Sequence, residues 1–288
     1  MDTPRWLHRL AALTAASALG LIAVGAVVTS TDSGMAFRDW PTSAGRNLFT
    51  YPWVRDMLVG AWRQVVEHGH RLGGTLVGCL TLALAFSLWA REPRRTLKAL
   101  GLLAAATVVL QGYLGGYRVL HDSRPLAFLH ACTAHAFFAL LVGIWTLTAP
   151  GLPFAGVPRI QRRCALGAAL AYVQVILGAA VRQLGFPVRY HAGMACVLAL
   201  FLCALSLGIL KAHVEIPALR RAATAVAALV VAQSAFGLTA WLSLRHATHP
   251  RSDIGRVAHS VVHVATGALL LGATVRLAVL ARLCRDPV

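Results

Sequence analysis

Four of the chain's twelve histidines stand near the starts of apolar stretches: His70, His130, His191 and His263. The intervals between them, 60, 61 and 72 residues, are close to the length of two membrane-spanning helices with their loops. Such spacing puts all of them at one depth, near one face of a membrane. Imidazole is a common ligand of heme iron, and a six-coordinate heme takes two. The histidines therefore predict two porphyrin sites.

Two further histidines compete for these roles. His130 and His135 are five residues apart and face different ways on a helix, whereas His259 and His263 are four apart and share a face. We favour His130 because its depth matches that of His70, and His263 because a run of small residues follows it. His135 and His259 remain the alternatives.

A charged cluster surrounds the first of these histidines. Glu67 lies three residues before His70 and shares its helix face, so we expect its carboxylate beside the same porphyrin ring. Arg71 is expected to pair with a porphyrin propionate or a lipid headgroup, and His68 to point elsewhere. Charges at the edge of a bilayer are costly unless buried in protein or wetted. The alternative interpretation is an ordinary interfacial cluster of charges.

The elements that position these residues are apolar helices. The 288 residues are 58% hydrophobic and 13% charged, with a mean hydropathy of +0.67. A soluble domain is about half apolar and about a quarter charged, so the bilayer is the expected solvent. We predict an all-α integral membrane protein with eight transmembrane helices and a retained first span. The predicted spans are 7–28, 64–90, 97–118, 126–148, 163–182, 190–211, 219–243 and 257–281.

The spans repeat in two halves. A glutamine four residues before a glycine recurs in three odd-numbered spans, and the first span has leucine at the glutamine position. The pairs are Gln111 and Gly115, Gln174 and Gly178, Gln233 and Gly237, and Leu21 and Gly25. In register with the histidines, this pattern predicts two pseudo-symmetric four-helix bundles, residues 1–150 and 151–288, joined by a segment rich in proline and glycine. An even number of helices in each half makes the repeat parallel.

The net charge of +17 lies mainly at predicted span ends. Nucleic acid, the usual partner of so basic a soluble protein, is therefore not expected here. The arginines and lysines are slightly denser on the side of the termini, which predicts both termini in the cytoplasm and the histidines toward the outer face. The strong use of arginine and alanine suggests a bacterium with a GC-rich genome, and hence a plasma membrane. The six cysteines have no metal-binding or disulfide spacing, so we interpret them as packing residues.

The longest predicted loop, 29–63, lies on the side of the histidines. It could cover a site as a lid, and its aromatic residues Phe49, Tyr51 and Trp53 also suit an interfacial belt.

Several of these motifs resemble the heme A synthase family. They are Glu67-His-Gly-His-Arg71, the loop Ser33-Gly-Met-Ala-Phe-Arg-Asp-Trp-Pro41, the histidines heading spans 4, 6 and 8, and Leu177-Gly-Ala-Ala-Val-Arg182. The resemblance covers essentially the whole chain. It implies oxidation of the C8 methyl of heme O to the formyl of heme A, for terminal oxidases, by two successive hydroxylations and loss of water. Some members carry cysteine pairs in outer loops, which this chain lacks.

The resemblance also implies roles for individual residues. His191 and His263 would ligate a resident heme b, His70 and His130 would hold the substrate heme O, and Glu67 would lie near the reacting methyl. Implied partners are the bilayer, a protoheme farnesyltransferase, oxidase assembly factors and an electron-transfer partner of unknown identity. Two alternatives remain: a di-heme b-type electron-transfer protein without ring chemistry, and a transporter or heme carrier.

Overall fold

The computed structural model describes residues 3–151, 158–213, 215–246 and 254–283. Eight of its helices are long and apolar enough to cross a membrane, which confirms the predicted all-α membrane protein. A short helix, α2, lies in the first loop and was not predicted. The helices are α1 (Arg5–Ser30), α2 (Trp53–Leu58), α3 (Trp62–Arg91), α4 (Arg95–Leu120), α5 (Arg124–Leu147), α6 (Pro158–Leu184), α7 (Val188–Ala212), α8 (Pro217–His246) and α9 (Ile254–Leu283).

The long helices pack in two rings of four. In the first half α1 contacts α3, α3 contacts α4, α4 contacts α5, and α5 closes on α1. In the second half α6, α7, α8 and α9 follow one another in the same way, and α9 closes on α6. The segment predicted to join the halves lies partly outside the described residues. The pseudo-symmetry of the halves and their separate roles stay predictions.

The two halves share apolar contacts along α9. Ala268 of α9 is fully buried in the core of the first half, together with Phe138 and Leu141 of α5. One turn on, a Cβ built on Gly272 would lie 3.0 Å from Cε1 of Phe138, so the two helices are close at this point. Small residues allow such approach between membrane helices, where packing replaces the hydrophobic effect as the main attraction.

At the end of the bundle away from the four histidines, one buried carboxylate helps to hold neighbouring helix ends together. Glu92, which follows α3, is buried and accepts hydrogen bonds from Thr3 Oγ1 at 2.8 Å and Arg94 Nε at 2.7 Å. Burial raises the pKa of Glu92, but the hydrogen bonds from Arg94 and Thr3 outweigh it and the pKa is lowered. Arg94 also donates to the carbonyl of Leu147 at 3.1 Å, so the ends of α3 and α5 are held together.

The first loop is folded by its own polar contacts. The carboxylate of Asp39 accepts hydrogen bonds from Thr42 Oγ1 at 2.6 Å and from the amides of Ala44 and Gly45 at 3.0 and 2.8 Å. Burial alone would raise the pKa of Asp39, but these bonds lower it overall. Further along, burial and a hydrogen bond to Asp56 raise the pKa of Tyr51 to about 12. The loop therefore has a fixed conformation over the start of α3.

Candidate functional site

Each of the four histidines makes the same kind of contact with a glycine. Each imidazole rests on a glycine of the preceding long helix, so closely that a side chain on that glycine would crowd the ring. A Cβ built on Gly25, Gly115, Gly178 and Gly237 would lie 3.2, 3.1, 3.0 and 3.0 Å from Cε1 of His70, His130, His191 and His263 respectively. These are the glycines of the sequence repeat. The expected small residues after each histidine are thus less important than the glycine opposite it.

The ring nitrogens show which side of each imidazole is open. Nδ1 of His70, His130 and His263 is buried and has no hydrogen-bond partner. Nε2 lies farther from the glycine, 3.8–3.9 Å from the built Cβ in all four cases. A histidine that binds a metal commonly does so through one nitrogen while the other is turned to the protein. Nε2 is therefore the nitrogen suited to a ligand.

Glutamines of the repeat border the same rings. The amide Nε2 of Gln174 lies 3.1 Å from Nδ1 and 3.4 Å from Nε2 of His191 and donates to the His191 carbonyl at 3.0 Å. His130 and His263 have no such contact, since the Nδ1 atom of each is without a hydrogen-bond partner in the described residues. Of the four rings, that of His191 has the best-defined orientation.

The imidazoles of the second-half pair, His191 and His263, lie close together. The ring centroids of His191 and His263 are 6.1 Å apart, with the ring planes at 89°. Two imidazoles that bind one metal from opposite sides, with bonds of about 2 Å, have centroids roughly 6 Å apart. Within the described residues, no group of three or more His, Cys, Asp or Glu side chains could hold a metal ion. Two imidazoles at the separation seen here could hold a porphyrin iron between them.

The first-half pair has charged neighbours. Arg118 of α4 lies one turn beyond Gly115, the glycine on which His130 rests. Glu67 is 2% exposed. Its Oε1 accepts from Arg71 Nη2 at 2.7 Å and its Oε2 from the Phe37 amide at 3.1 Å. A buried carboxylate thus lies one turn before His70, as the sequence predicted, and is held by both α3 and the loop.

Arg71 connects α3 to the loop. Besides its ion pair with Glu67, its Nη1 donates to the carbonyls of Asp39 at 2.9 Å and Thr42 at 2.6 Å, and its guanidinium lies 5.2 Å from the centre of the Phe37 ring. These protein partners occupy the positions that a propionate or headgroup was expected to take. The pairing of Arg71 with a propionate stays a prediction that the contacts do not favour.

The loop also encloses His68. This residue is buried, its Nδ1 is 3.2 Å from Ser43 Oγ, and its ring is 4.8 Å from that of Tyr51 and 6.2 Å from that of Trp53. As expected, it points away from His70. Nearby, Trp40 packs directly on the backbone of Gly116 in α4. The loop thus lies across the ends of α3 and α4, beside the first histidine pair.

The alternative histidines lack the glycine contact. Nδ1 of His135 donates to the carbonyl of Ala131 at 2.8 Å, a bond within its own helix. His259 is exposed on the surface of α9. Because His130 and His263 repeat the arrangement of the other two histidines, the geometry favours them.

Two arginines, Arg118 and Arg182, lie about one turn after the repeat glycines of α4 and α6, closer to the helix ends. Arg118 Nη2 donates to the Gly34 carbonyl at 2.7 Å. Arg182 of α6 reaches into the first half, where its Nη2 donates to the Ala26 carbonyl at 2.8 Å and to Ser30 Oγ at 2.6 Å. Sequence reasoning gave Arg118 no role in a site. The available signal was its position three residues after Gly115.

The described cysteines are free thiols, consistent with packing roles. Cys132 and Cys164 are buried, and Cys79 and Cys196 are exposed on the helix surfaces. Cys284 lies outside the described residues.

Comparison with protein families gives one match. Residues 56–192 match a family described as a cytochrome oxidase assembly protein (COX15-CtaA). The matched stretch contains Glu67, His70, His130 and His191 and ends before His263.

Curated proteins named heme A synthase are similar to parts of the chain. One from Alkalihalophilus pseudofirmus is 31% identical over 121 residues, 41% of this chain and 38% of that protein. One from Halalkalibacterium halodurans is 29% identical over 137 residues, 46% of this chain and 43% of that protein. One from an Exiguobacterium species is 29% identical over 182 residues, 62% and 56% of the two chains. The matches span from about two-fifths to just over half of these relatives.

Proposed function

We propose that this chain, which belongs to the heme A synthase family, oxidises the C8 methyl of heme O to the formyl of heme A. The observation that carries the proposal is an asymmetry between the two histidine pairs. Both pairs rest on glycines in the same way, but Glu67, a buried carboxylate, lies one turn before His70. The sequence has alanine, valine and serine at the corresponding positions before His130, His191 and His263. Oxidation of a methyl group releases protons, so a carboxylate found beside only one pair supports placing the reaction in the first half.

In this proposal the second half, residues 151–288, holds heme b through Nε2 of His191 and His263. The 6.1 Å separation of their rings supports that role. Heme b, when bound, supplies one-electron redox chemistry. An imidazole that binds a metal through Nε2 carries its proton on Nδ1, so Gln174, whose amide lies against Nδ1 and whose Oε1 has no recorded partner, would accept that proton at Oε1 with its amide turned over. Hydrogen bonds from the outer nitrogen of a ligating imidazole fix its orientation and affect its basicity.

The first half, residues 1–150, holds heme O between His70 and His130. Each of two successive hydroxylations would take its oxygen from water and release two protons and two electrons, the electrons passing to the external electron-transfer partner, and the resulting geminal diol would lose water to leave the formyl. Glu67 would orient the water and accept a proton at a carboxylate oxygen. Arg71 and the Phe37 amide keep that carboxylate in place. The loop over α3 and α4 limits access of bulk water to the same region.

The proposal includes a membrane setting. The chain is a multi-pass membrane protein. Basic residues are denser on the side of the termini, which supports both termini in the cytoplasm and the histidine pairs toward the outer face. The strong use of arginine and alanine, typical of a bacterium with a GC-rich genome, supports a plasma membrane. Heme O delivery by a protoheme farnesyltransferase, use of the product by oxidase assembly factors and an electron-transfer partner belong to the same proposal.

The test is to express the chain with an enzyme that makes heme O and to identify the extracted hemes. We expect heme A with the unchanged chain and none with Glu67→Gln. The matched control is Glu92→Gln, which alters another buried carboxylate bonded to an arginine, at the opposite end of α3. Unchanged heme O together with a normal heme b spectrum in the unaltered protein would refute the proposal and favour a di-heme electron-transfer protein.

A further inference from the structure

Arg118 occupies an unusual place beside the first histidine pair. It lies three residues after Gly115, the glycine on which His130 rests. Its guanidinium and the Glu67 carboxylate both bond to the same stretch of the loop, at Gly34 and Phe37 respectively. Arg118 therefore lies beside the first histidine pair.

The loop backbone lies directly on this guanidinium. Nη2 of Arg118 donates to the Gly34 carbonyl at 2.7 Å. A Cβ built on Gly34 would lie 2.5 Å from Nη2 and 3.0 Å from Nη1, so a side chain at Gly34 would displace the arginine. The loop thus fixes the position of the guanidinium, and the Gly34 carbonyl is the hydrogen-bond partner recorded for it among the described residues.

The charges around the pair do not balance. Glu67 and Arg71 neutralise each other through an ion pair of 2.7 Å. Arg118 has no carboxylate within ion-pair distance in the described chain; Glu67 and Asp122 act on it only at longer range. A partly buried cation at the edge of a bilayer is costly unless an anion accompanies it. The site therefore lacks one negative charge.

We propose that Arg118 binds a propionate carboxylate of the porphyrin held between His70 and His130. This inference rests on the proposed function and assigns to Arg118 the contact that the sequence had suggested for Arg71. Arg71 has Glu67 and two loop carbonyls as partners, whereas Arg118 has a single carbonyl. The planar guanidinium suits a carboxylate because it can donate two parallel hydrogen bonds to it.

The test compares two porphyrins that differ only at the carboxylates. Protein purified with its resident heme is titrated with iron protoporphyrin IX and with its dimethyl ester, and binding is followed by the Soret band. A charge-assisted hydrogen bond predicts that Arg118→Gln weakens binding of the free acid about tenfold or more. The ester, which has no carboxylate, should bind the variant and the unchanged protein equally. Arg124→Gln, an exposed arginine at the same end, is the matched control and should change neither.

Other outcomes overturn the inference. Equal loss of acid and ester binding in Arg118→Gln would mean that the arginine only supports the fold, and no loss would mean that it does not touch the ligand. If the acid is unaffected while bound phosphatidylglycerol, measured by mass spectrometry, is lost, the guanidinium holds a lipid phosphate instead. Arg118→Lys, which keeps the charge, should recover part of the acid affinity. If the unchanged protein binds neither porphyrin beyond its resident heme, the proposed function fails as well, a result distinct from all the others.

Discussion

Gly237 gives the sharpest test of how the histidines are seated. A Cβ built there would lie 3.0 Å from Cε1 and 3.4 Å from Nδ1 of His263. Carbon atoms in contact prefer about 3.5–4.0 Å, so Gly237→Ala must move the ring or the helix by roughly 0.5 Å. Gly208→Ala is the matched control because a Cβ at that helical glycine meets nothing within 4 Å.

The expected magnitude follows from two opposing effects. Overpacking of this kind costs about 1–3 kcal/mol. Replacing a helical glycine by alanine returns up to about 1 kcal/mol of helix stability. The substitution therefore displaces His263 at a net cost of about 0–2 kcal/mol, which corresponds to heme b binding weakened by up to roughly thirtyfold. In Gly208→Ala the only expected effect is the gain in helix stability, because the new Cβ contacts nothing.

The assay is the ratio of heme b to protein after purification, together with the dissociation constant for heme added back to the apoprotein. We expect a lower ratio, a higher dissociation constant and a shifted Soret band for Gly237→Ala alone. If Gly237→Ala and Gly208→Ala bind heme b equally well, with the same spectrum, the glycine does not seat His263 and the interpretation of the fourfold contact is wrong.

Three further predictions concern the histidine pairs and the loop. His263→Ala should abolish heme b binding while His259→Ala leaves it intact, as judged by redox difference spectra; the reverse result would make His259 the ligand. Gln174→Leu, which copies the residue found in α1, should retain heme b but shift its midpoint potential and its electron paramagnetic resonance signal, because the His191 ring loses its partner; identical values would exclude a positioning role. The lowered pKa of Asp39 means that its carboxylate stabilises the folded loop above its unfolded pKa of about 3.9, and that this stability is lost as pH falls through the lower folded value. Protease cleavage of the loop should therefore increase in strong acid, whereas Asp39→Asn should be cleaved readily at neutral pH as well; an equally resistant variant would contradict the assignment.

The spans could be predicted from sequence because a bilayer demands long apolar helices. The second predicted span, 64–90, became Trp62–Arg91, and the eighth, 257–281, became Ile254–Leu283. The helix α2 was missed because six residues after Pro52 carry too little periodicity to be recognised. Histidine spacing likewise predicted the four residues that make the repeated contact.

The contacts of the loop could not be predicted in the same way. Arg71 bonds to carbonyls about thirty residues earlier in the chain, and Arg118 to one 84 residues earlier. No periodicity links positions so far apart, because the backbone carbonyls they meet belong to irregular structure. Sequence alone therefore identified the arginine nearest to His70 in the chain, whereas the fold brings Arg118 under the loop at the same end of the bundle.

The two histidine pairs lie at the same level of the helix bundle, which determines how the membrane potential acts on a charge that moves between them. Both pairs lie where α1, α4, α6 and α8 end and where α3, α5, α7 and α9 begin. An electron that passes between sites at these pairs travels along the plane of the bilayer. Moving one charge across the whole membrane involves about 2.3 kcal/mol for each 100 mV, but movement within the plane involves almost none. In the proposed arrangement with two hemes, electron exchange between the sites is therefore nearly independent of the membrane potential, and its driving force depends on the two hemes and their surroundings.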